Sequence, residues 1–232
     1  MRAVHYSWAF SQLRNVWMCL RDSLSNEEFA QLYREIRAYT VCGNSCLYGL
    51  YLAVKHVVDR NISGDFVECG VARGGSAALL GLTAKRLKAR RALWLFDTFE
   101  GLPPPTADDP DYKIAKRYTG AYRGNLDDVI ELFRRCEMLD HTRFIRGNLQ
   151  ETLSPPELTR IAVLHIDADW YASVKVCLER LYDRVSSGGV IQIDDYGHWK
   201  GARKAVDEFL ARRSIDAPLR ALDYTGRQLV KP

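Results

Sequence analysis

No stretch of this 232-residue sequence approaches the roughly 20 consecutive apolar residues that a membrane-spanning helix needs. The N-terminus carries Arg2 and Arg14 without a continuous apolar block between charges, so no secretory leader is expected. Cys19, Cys42, Cys46, Cys69, Cys136 and Cys177 form no CxxC pair and no Cys/His metal spacing. Reduced thiols in a cytoplasmic protein are therefore the expectation. The charge balance is nearly even, 33 basic against 29 acidic residues, and the net +4 is too small to indicate a nucleic-acid partner. The densest basic run, Lys85 to Arg91, reads as the exposed end of a helix. Internal repeats and low-complexity tracts are absent as well.

The length suits one α/β domain with additions. Residues 1–60 read as an N-terminal helical segment, a cap that could make acceptor or dimer contacts. Within it, Ser23-Leu24-Ser25-Asn26-Glu27-Glu28 is a helix-start pattern, and Val41 to Val58 has apolar residues at helical spacing. From residue 61 onward short apolar runs alternate with helical stretches. Strands are expected at 65–70, 92–97, 143–147, 161–167 and 189–194, with helices at 74–88, 172–185 and 201–212 between them. Two further strands are expected over 219–230 around Thr225-Gly226. This order predicts a doubly wound, mostly parallel sheet of seven strands with both faces covered. Residues 101–124 break the pattern with Pro103-Pro104-Pro105 and several acids, and read as a functional lid. Its tyrosines, Tyr112, Tyr118 and Tyr122, either line a substrate cavity or pack the lid against the body.

In an open α/β sheet, ligands bind beyond the carboxyl ends of the strands. Four of the five central strands deliver acids there: Glu68, Asp97, Asp167 and the pair Asp194-Asp195. Carboxylates are costly to bury unpaired, so this rim points to a cation, to ligand hydroxyls, or to both. The turn Glu68-Cys69-Gly70-Val71-Ala72-Arg73-Gly74-Gly75-Ser76 has strand-to-helix glycines but lacks the GxG of a dinucleotide fingerprint. That weakens NAD and favours a nucleoside cofactor without pyrophosphate. Asp97, 22 residues past Gly75, stands where an acid receives ribose hydroxyls; the alternative is a cap for the segment after it. Asp167, Asp194 and Asp195 repel one another unless a cation neutralises them, and an all-oxygen set suits Mg²⁺, Ca²⁺ or Mn²⁺. The competing reading has Asp194-Asp195 turning the chain and capping the helix near Gly201. Asp169 is expected to cap the helix beginning at Ala172, and His165 to be a satisfied core histidine. His198 stays open between base, ligand contact and surface residue.

The chain resembles the macrocin O-methyltransferase family (TylF/MycF type). The resemblance rests on residues 64–75, Phe96-Asp97-Thr98-Phe99-Glu100-Gly101-Leu102-Pro103, His165-Ile166-Asp167-Ala168-Asp169-Trp170-Tyr171, Ile193-Asp194-Asp195-Tyr196-Gly197 and the helix from Ala202 to Phe209, over roughly residues 35–212. It implies a class I methyltransferase fold using S-adenosylmethionine and Mg²⁺ (or Mn²⁺). By position it makes Thr40, Glu68, Gly70, Ser76, Asp97 and Thr98 cofactor contacts. It makes Asp167, Asp194 and Asp195 metal ligands, with Asp167 also the general base. The implied reaction is O-methylation of a sugar or other natural-product hydroxyl, in a homodimer or larger homo-oligomer. A catechol-type small-phenol methyltransferase, an NAD or nucleotide-sugar oxidoreductase, and a non-catalytic module keeping the cofactor cavity are the rival readings.

Overall fold

A computed structural model describes residues 21–23 and 25–232. The helical expectation for residues 1–20 and for Leu24 lies outside them. Helix α1 (Glu27–Ile36) starts where the sequence signals it: Asn26 Oδ1 accepts the Phe29 N–H at 2.8 Å, and Glu27 and Glu28 sit at the positive end of the helix dipole. Helix α2 (Asn44–Asp59) follows. Leu47, Leu50, Val54 and Val57 on it are all fully buried. Each contributes about 1.5–3 kcal/mol on burial, so α2 is anchored to the sheet rather than loosely appended.

The core alternates as expected: β1 (Asp65–Cys69), α3 (Gly75–Arg86) and β2 (Leu93–Asp97). The segment after β2 holds the short helix α4 (Tyr112–Ala115), and α5 (Leu126–Arg135) comes before β3 (Thr142–Arg146). Then come α6 (Leu149–Thr152), β4 (Ile161–Ile166), α7 (Tyr171–Leu181), β5 (Val185–Ile193), α8 (Lys200–Arg212), β6 (Arg220–Ala221) and β7 (Arg227–Val230). The seven strands run in the order β3-β2-β1-β4-β5-β7-β6. The first five are parallel; β7 runs antiparallel to β5, and β6 antiparallel to β7.

Successive strand residues feed two cores, one on each face of the sheet, as the two-residue period of a strand requires. Phe66, Leu93, Leu95, Val163 and Val190 pack with α1, α2 and α3. Val67, Trp94, Phe96, Leu164 and Ile191 pack with α7 and α8.

Two boundaries differ from the sequence reading. The helix expected to reach 185 ends as an α-helix at Leu181 and tightens into a single 3₁₀ turn, Tyr182–Arg184. The strand expected from 189 begins at Val185, with a register shift against β4 between Ile161 and Val163. Ser186, Ser187, Gly188 and Gly189 hide this start because they carry no apolar alternation.

One row of the sheet is polar although it lies in the interior. On the α2-facing side, Glu68 pairs in register with His165, His165 with Gln192, and Gln192 with Gln228. The first three are fully buried. Two residues further along the same side of their strands come Gly70, Asp167 and Asp194, at the rim.

Candidate active site

The rim is shaped first by backbone. Gly70 adopts φ +87°, and a Cβ there would sit 1.8 Å from the Asp167 carbonyl oxygen. Only glycine lets the β1 turn lie against the end of β4. Gly75 opens α3 so close to the N-terminal segment that a Cβ would stand 2.7 Å from the Tyr39 carbonyl carbon and 2.8 Å from Thr40 Cβ. Asp97, ending β2, ties the turns together: Oδ2 accepts the N–H groups of Val71 (2.6 Å) and Ala72 (2.9 Å), and Oδ1 that of Phe99 (2.6 Å). A carboxylate offers about four lone-pair sites, so about one remains for a ligand hydroxyl.

Above this rim lies a cavity of about 570 Å³, the size of a small-molecule site. Gly70, Asp97 and Thr98 line it, as do Asp167, Asp194 and Asp195. Thr40, Glu68 and Ser76 do not; they stand behind the wall. Thr40 Oγ1 accepts the Cys42 N–H at 3.1 Å, and Ser76 is buried at the start of α3. Glu68 Oε1 meets His165 Nδ1 at 2.6 Å. Glu68 therefore turns inward to a partner on the sheet, where the sequence reading placed it against the cofactor.

The acids form two overlapping groups. Asp167, Asp169 and Asp195 each offer an oxygen within 4.8 Å of the others, and Cys42, Asp167 and Asp194 do the same with a sulfur and two oxygens. Asp169 was expected to cap the following helix. It does not: α7 starts at Tyr171, whose N–H is accepted at 2.8 Å by Asp109 of the lid. Asp169 instead turns into the site at φ +57°, with Oδ1 accepting Trp199 Nε1–H at 2.8 Å and its own N–H donating to Asp195 Oδ2 at 3.1 Å. The spacing Asp-x-Asp was the available signal, and the left-handed backbone at 169 is what a strand-based reading misses. The capping alternative for Asp194-Asp195 also fails, because the Lys200 N–H at the start of α8 donates to Asp111 Oδ2.

The electrostatics are those of crowded carboxylates. Burial and then the Asp194 charge push Asp167 well above the ordinary carboxylate range. Burial, then Asp169, Asp167 and Asp194, do the same to Asp195. Burial lifts Asp169 to about 7 against the opposing Trp199 hydrogen bond. Burial alone would lower His165, but the Asp194 and Glu68 carboxylates outweigh it and raise the imidazole to about 10. His165 is thus a core residue, as expected, but its ring is only half satisfied. Its Nε2 lies 3.8 Å from Asp194 Oδ1, too far for a hydrogen bond, and neither atom has another partner.

The lid is latched closed by aromatic rings and two aspartates. Trp170 Nε1–H donates to the Pro103 carbonyl at 2.6 Å, and Trp199 packs edge-on against both Trp170 and Tyr118. Tyr118 and Tyr122 line the cavity; Tyr112 does not. His198 joins the cavity wall beside Tyr224, at 6.0 Å between ring centroids. Asp109 is buried and bonded to both Tyr171 and Thr106. Asp109→Ala should cost about 1–2 kcal/mol through the lost cap and loosen residues 101–124, seen as a lower urea midpoint and faster amide exchange confined to that segment.

A family model described as macrocin-O-methyltransferase (TylF) matches residues 27–230. The chain belongs to this family. The curated relatives include a tetracenomycin-type 4'-O-methyltransferase acting on an 8-demethyl-8-(2,3-dimethoxy-α-L-rhamnosyl) compound, from Streptomyces olivaceus. It is 36% identical over 82% of this chain and 74% of its own length. Demethyldecarbamoylnovobiocin O-methyltransferase from Streptomyces niveus is 33% identical over 89% of this chain and 81% of its own. Among solved structures, the O-methyltransferase NovP superposes with a TM-score of 0.78 at 32% identity, covering 83% of this chain and 82% of that one. This macrocin O-methyltransferase family member is therefore an S-adenosylmethionine-dependent O-methyltransferase with the class I fold. The oxidoreductase and non-catalytic readings are set aside.

Proposed function

We propose that this enzyme methylates a hydroxyl of a sugar or other hydroxylated natural product, with a divalent cation, Mg²⁺ or Mn²⁺, at the rim acids. The observation that carries the reading is the meeting of Asp167, Asp169 and Asp195 in a cavity that Gly70, Asp97 and Thr98 also line. The residues fit both absent groups. Three buried carboxylates held above the ordinary range, with Asp194 Oδ1 beside them making no hydrogen bond, form a donor set for a hard cation. Gly70 leaves the open backbone, and Asp97 the spare acceptor site, that an adenosyl ribose needs.

When bound, the cofactor supplies an electrophilic methyl group and the cation lowers the pKa of a coordinated hydroxyl. The chain does the rest. Asp97 fixes the two turns and receives one ribose hydroxyl. Glu68, Ser76 and Thr40 support the wall from behind. Asp167 takes the proton of the acceptor hydroxyl on one of its carboxylate oxygens, which readies the acceptor oxygen for the methyl group that the cofactor would give up from its sulfur. Asp169, Asp194 and Asp195 hold the cation with it, and Trp199 keeps Asp169 turned into the site. The lid, with Tyr118 and Tyr122, excludes water and positions the acceptor. We read the described residues before β1 as closing one side of this site through Val41, Cys42 and Gly43, in a homodimer or larger assembly. The five described cysteines are unpaired, which fits the cytoplasm.

The many rings around the cavity also suit a planar acceptor, so the decisive test compares two panels. With methyl-labelled cofactor, label should pass to glycosides bearing neighbouring hydroxyls at a higher kcat/KM than to catechols. Transfer to catechols alone overturns the sugar assignment. Asp97→Ala should weaken cofactor binding about tenfold or more by calorimetry, at an energy of about 1.4 kcal/mol per tenfold.

A further inference from the structure

The carboxylate site has a neighbour that an all-oxygen cation does not use. Cys42 sits in the turn between α1 and α2, placed by its N–H bond to Thr40 Oγ1, with its Sγ 3.4 Å from Asp167 Oδ2. It lines the same cavity. Cys42, Asp167 and Asp194 bring one sulfur and two oxygens within 4.8 Å of one another. A second observation marks this as a binding position. Asp194 is only 8% exposed and lines the cavity, yet its Oδ1 makes no hydrogen bond and has only His165 Nε2, at 3.8 Å, near it. A buried carboxylate oxygen left without a hydrogen bond is costly, and a cation in this position would satisfy it.

We propose that Cys42, Asp167 and Asp194 form a mixed sulfur–oxygen seat that takes a thiophilic divalent cation, Zn²⁺ or Co²⁺, in competition with the hard cation of the all-oxygen group. Thiolate selects such ions, while Mg²⁺ prefers oxygen alone. Three protein ligands leave a tetrahedral ion one open position. Because Asp167 belongs to both groups, the two cations compete for its carboxylate. On binding, the sulfur–hydrogen bond of Cys42 breaks, a sulfur–metal bond forms, and one proton passes to solvent; no oxidant or reductant is needed. The inference rests on the rim acids being a cation site, as proposed above.

The test uses the full chain, stripped with chelator and titrated with Co²⁺. Wild type should show a near-ultraviolet sulfur-to-cobalt charge-transfer band that grows to one equivalent and is displaced by Zn²⁺. Cys42→Ser should lose the band and weaken Co²⁺ binding about tenfold or more, as even the loss of an outer-shell partner can do, while Mg²⁺ binding by calorimetry stays as in wild type. Cys46→Ser, whose thiol instead donates to Asp223 Oδ2 at 3.2 Å, should keep the band. Co²⁺ bound to wild type without the band overturns the sulfur seat and leaves the carboxylate site standing. A band that survives Cys42→Ser and goes with Cys46→Ser overturns it too. If neither Co²⁺ nor Mg²⁺ binds wild type more tightly than Asp167→Asn, the carboxylate reading itself fails and this inference with it.

Discussion

Asp167→Asn should lower kcat by about 10²–10⁴-fold, the usual share of a positioned general base, and leave S-adenosylhomocysteine binding as in wild type. The reason is its place in the fold. Asp167 follows the last residue of β4, its N–H donates to the Cys69 carbonyl at 2.9 Å, and its side chain reaches both acid groups. No other carboxylate belongs to both, so none can replace it. Asparagine keeps the size and loses the charge, the proton-accepting oxygen and one cation ligand together. Gly70, Asp97 and Thr98 approach from other strand ends and are untouched, so cofactor affinity should not move. Stripping wild type of divalent ions should depress kcat in the same way, and added Mg²⁺ should restore it; the variant should not be restored. A variant that turns over at the wild-type rate would remove Asp167 from the chemistry, and activity indifferent to chelation would reduce the rim acids to a structural role.

The features legible in the sequence came from local physics, and the hidden ones from long-range contacts. The strands were visible because Phe66-Val67 or Leu164 with its neighbours must be apolar on both faces. The rim acids were visible because a parallel sheet sends every strand end to one edge. The start of β5 was hidden by serines and glycines. Asp109 was unreadable because its partner, the Tyr171 N–H, is 62 residues away, and its caps depend on how the lid folds back. Asp169 was misassigned because a left-handed residue three positions past the strand reverses where its side chain goes. Glu68 belongs to a third kind. Its register neighbour His165 stands two residues before Asp167, so strand periodicity already put both on one face. The family resemblance drew Glu68 toward the cofactor; the sheet draws it to the histidine.

That pairing makes Glu68 the residue whose loss should cost the fold most. Glu68 and His165 are both fully buried, 2.6 Å apart, and Glu68 Oε2 has no other partner. Removing one member of a buried ion pair costs roughly 3–5 kcal/mol, and here only Asp194, 3.8 Å from the far ring nitrogen, would remain for His165. Glu68→Gln should therefore lower the unfolding free energy by about that amount in chemical denaturation. Its effect on cofactor affinity should be smaller than that of Asp97→Ala, because the introduced amide would still stand behind the cavity wall. The pH dependence carries a definite sign. His165 rises from 6.5 to about 10 on folding, so the folded state binds the proton more tightly. The stability from this group is complete below pH 6.5 and is lost as pH climbs through 10, at a slope of up to about 1.4 kcal/mol per unit. In chelator, wild type should weaken between pH 7 and 10 more steeply than Glu68→Gln, in which the imidazole has lost its nearest carboxylate. Parallel pH profiles for the two proteins would mean that His165 is neutral in the fold, and that the buried row Glu68–His165–Gln192 holds by hydrogen bonds alone.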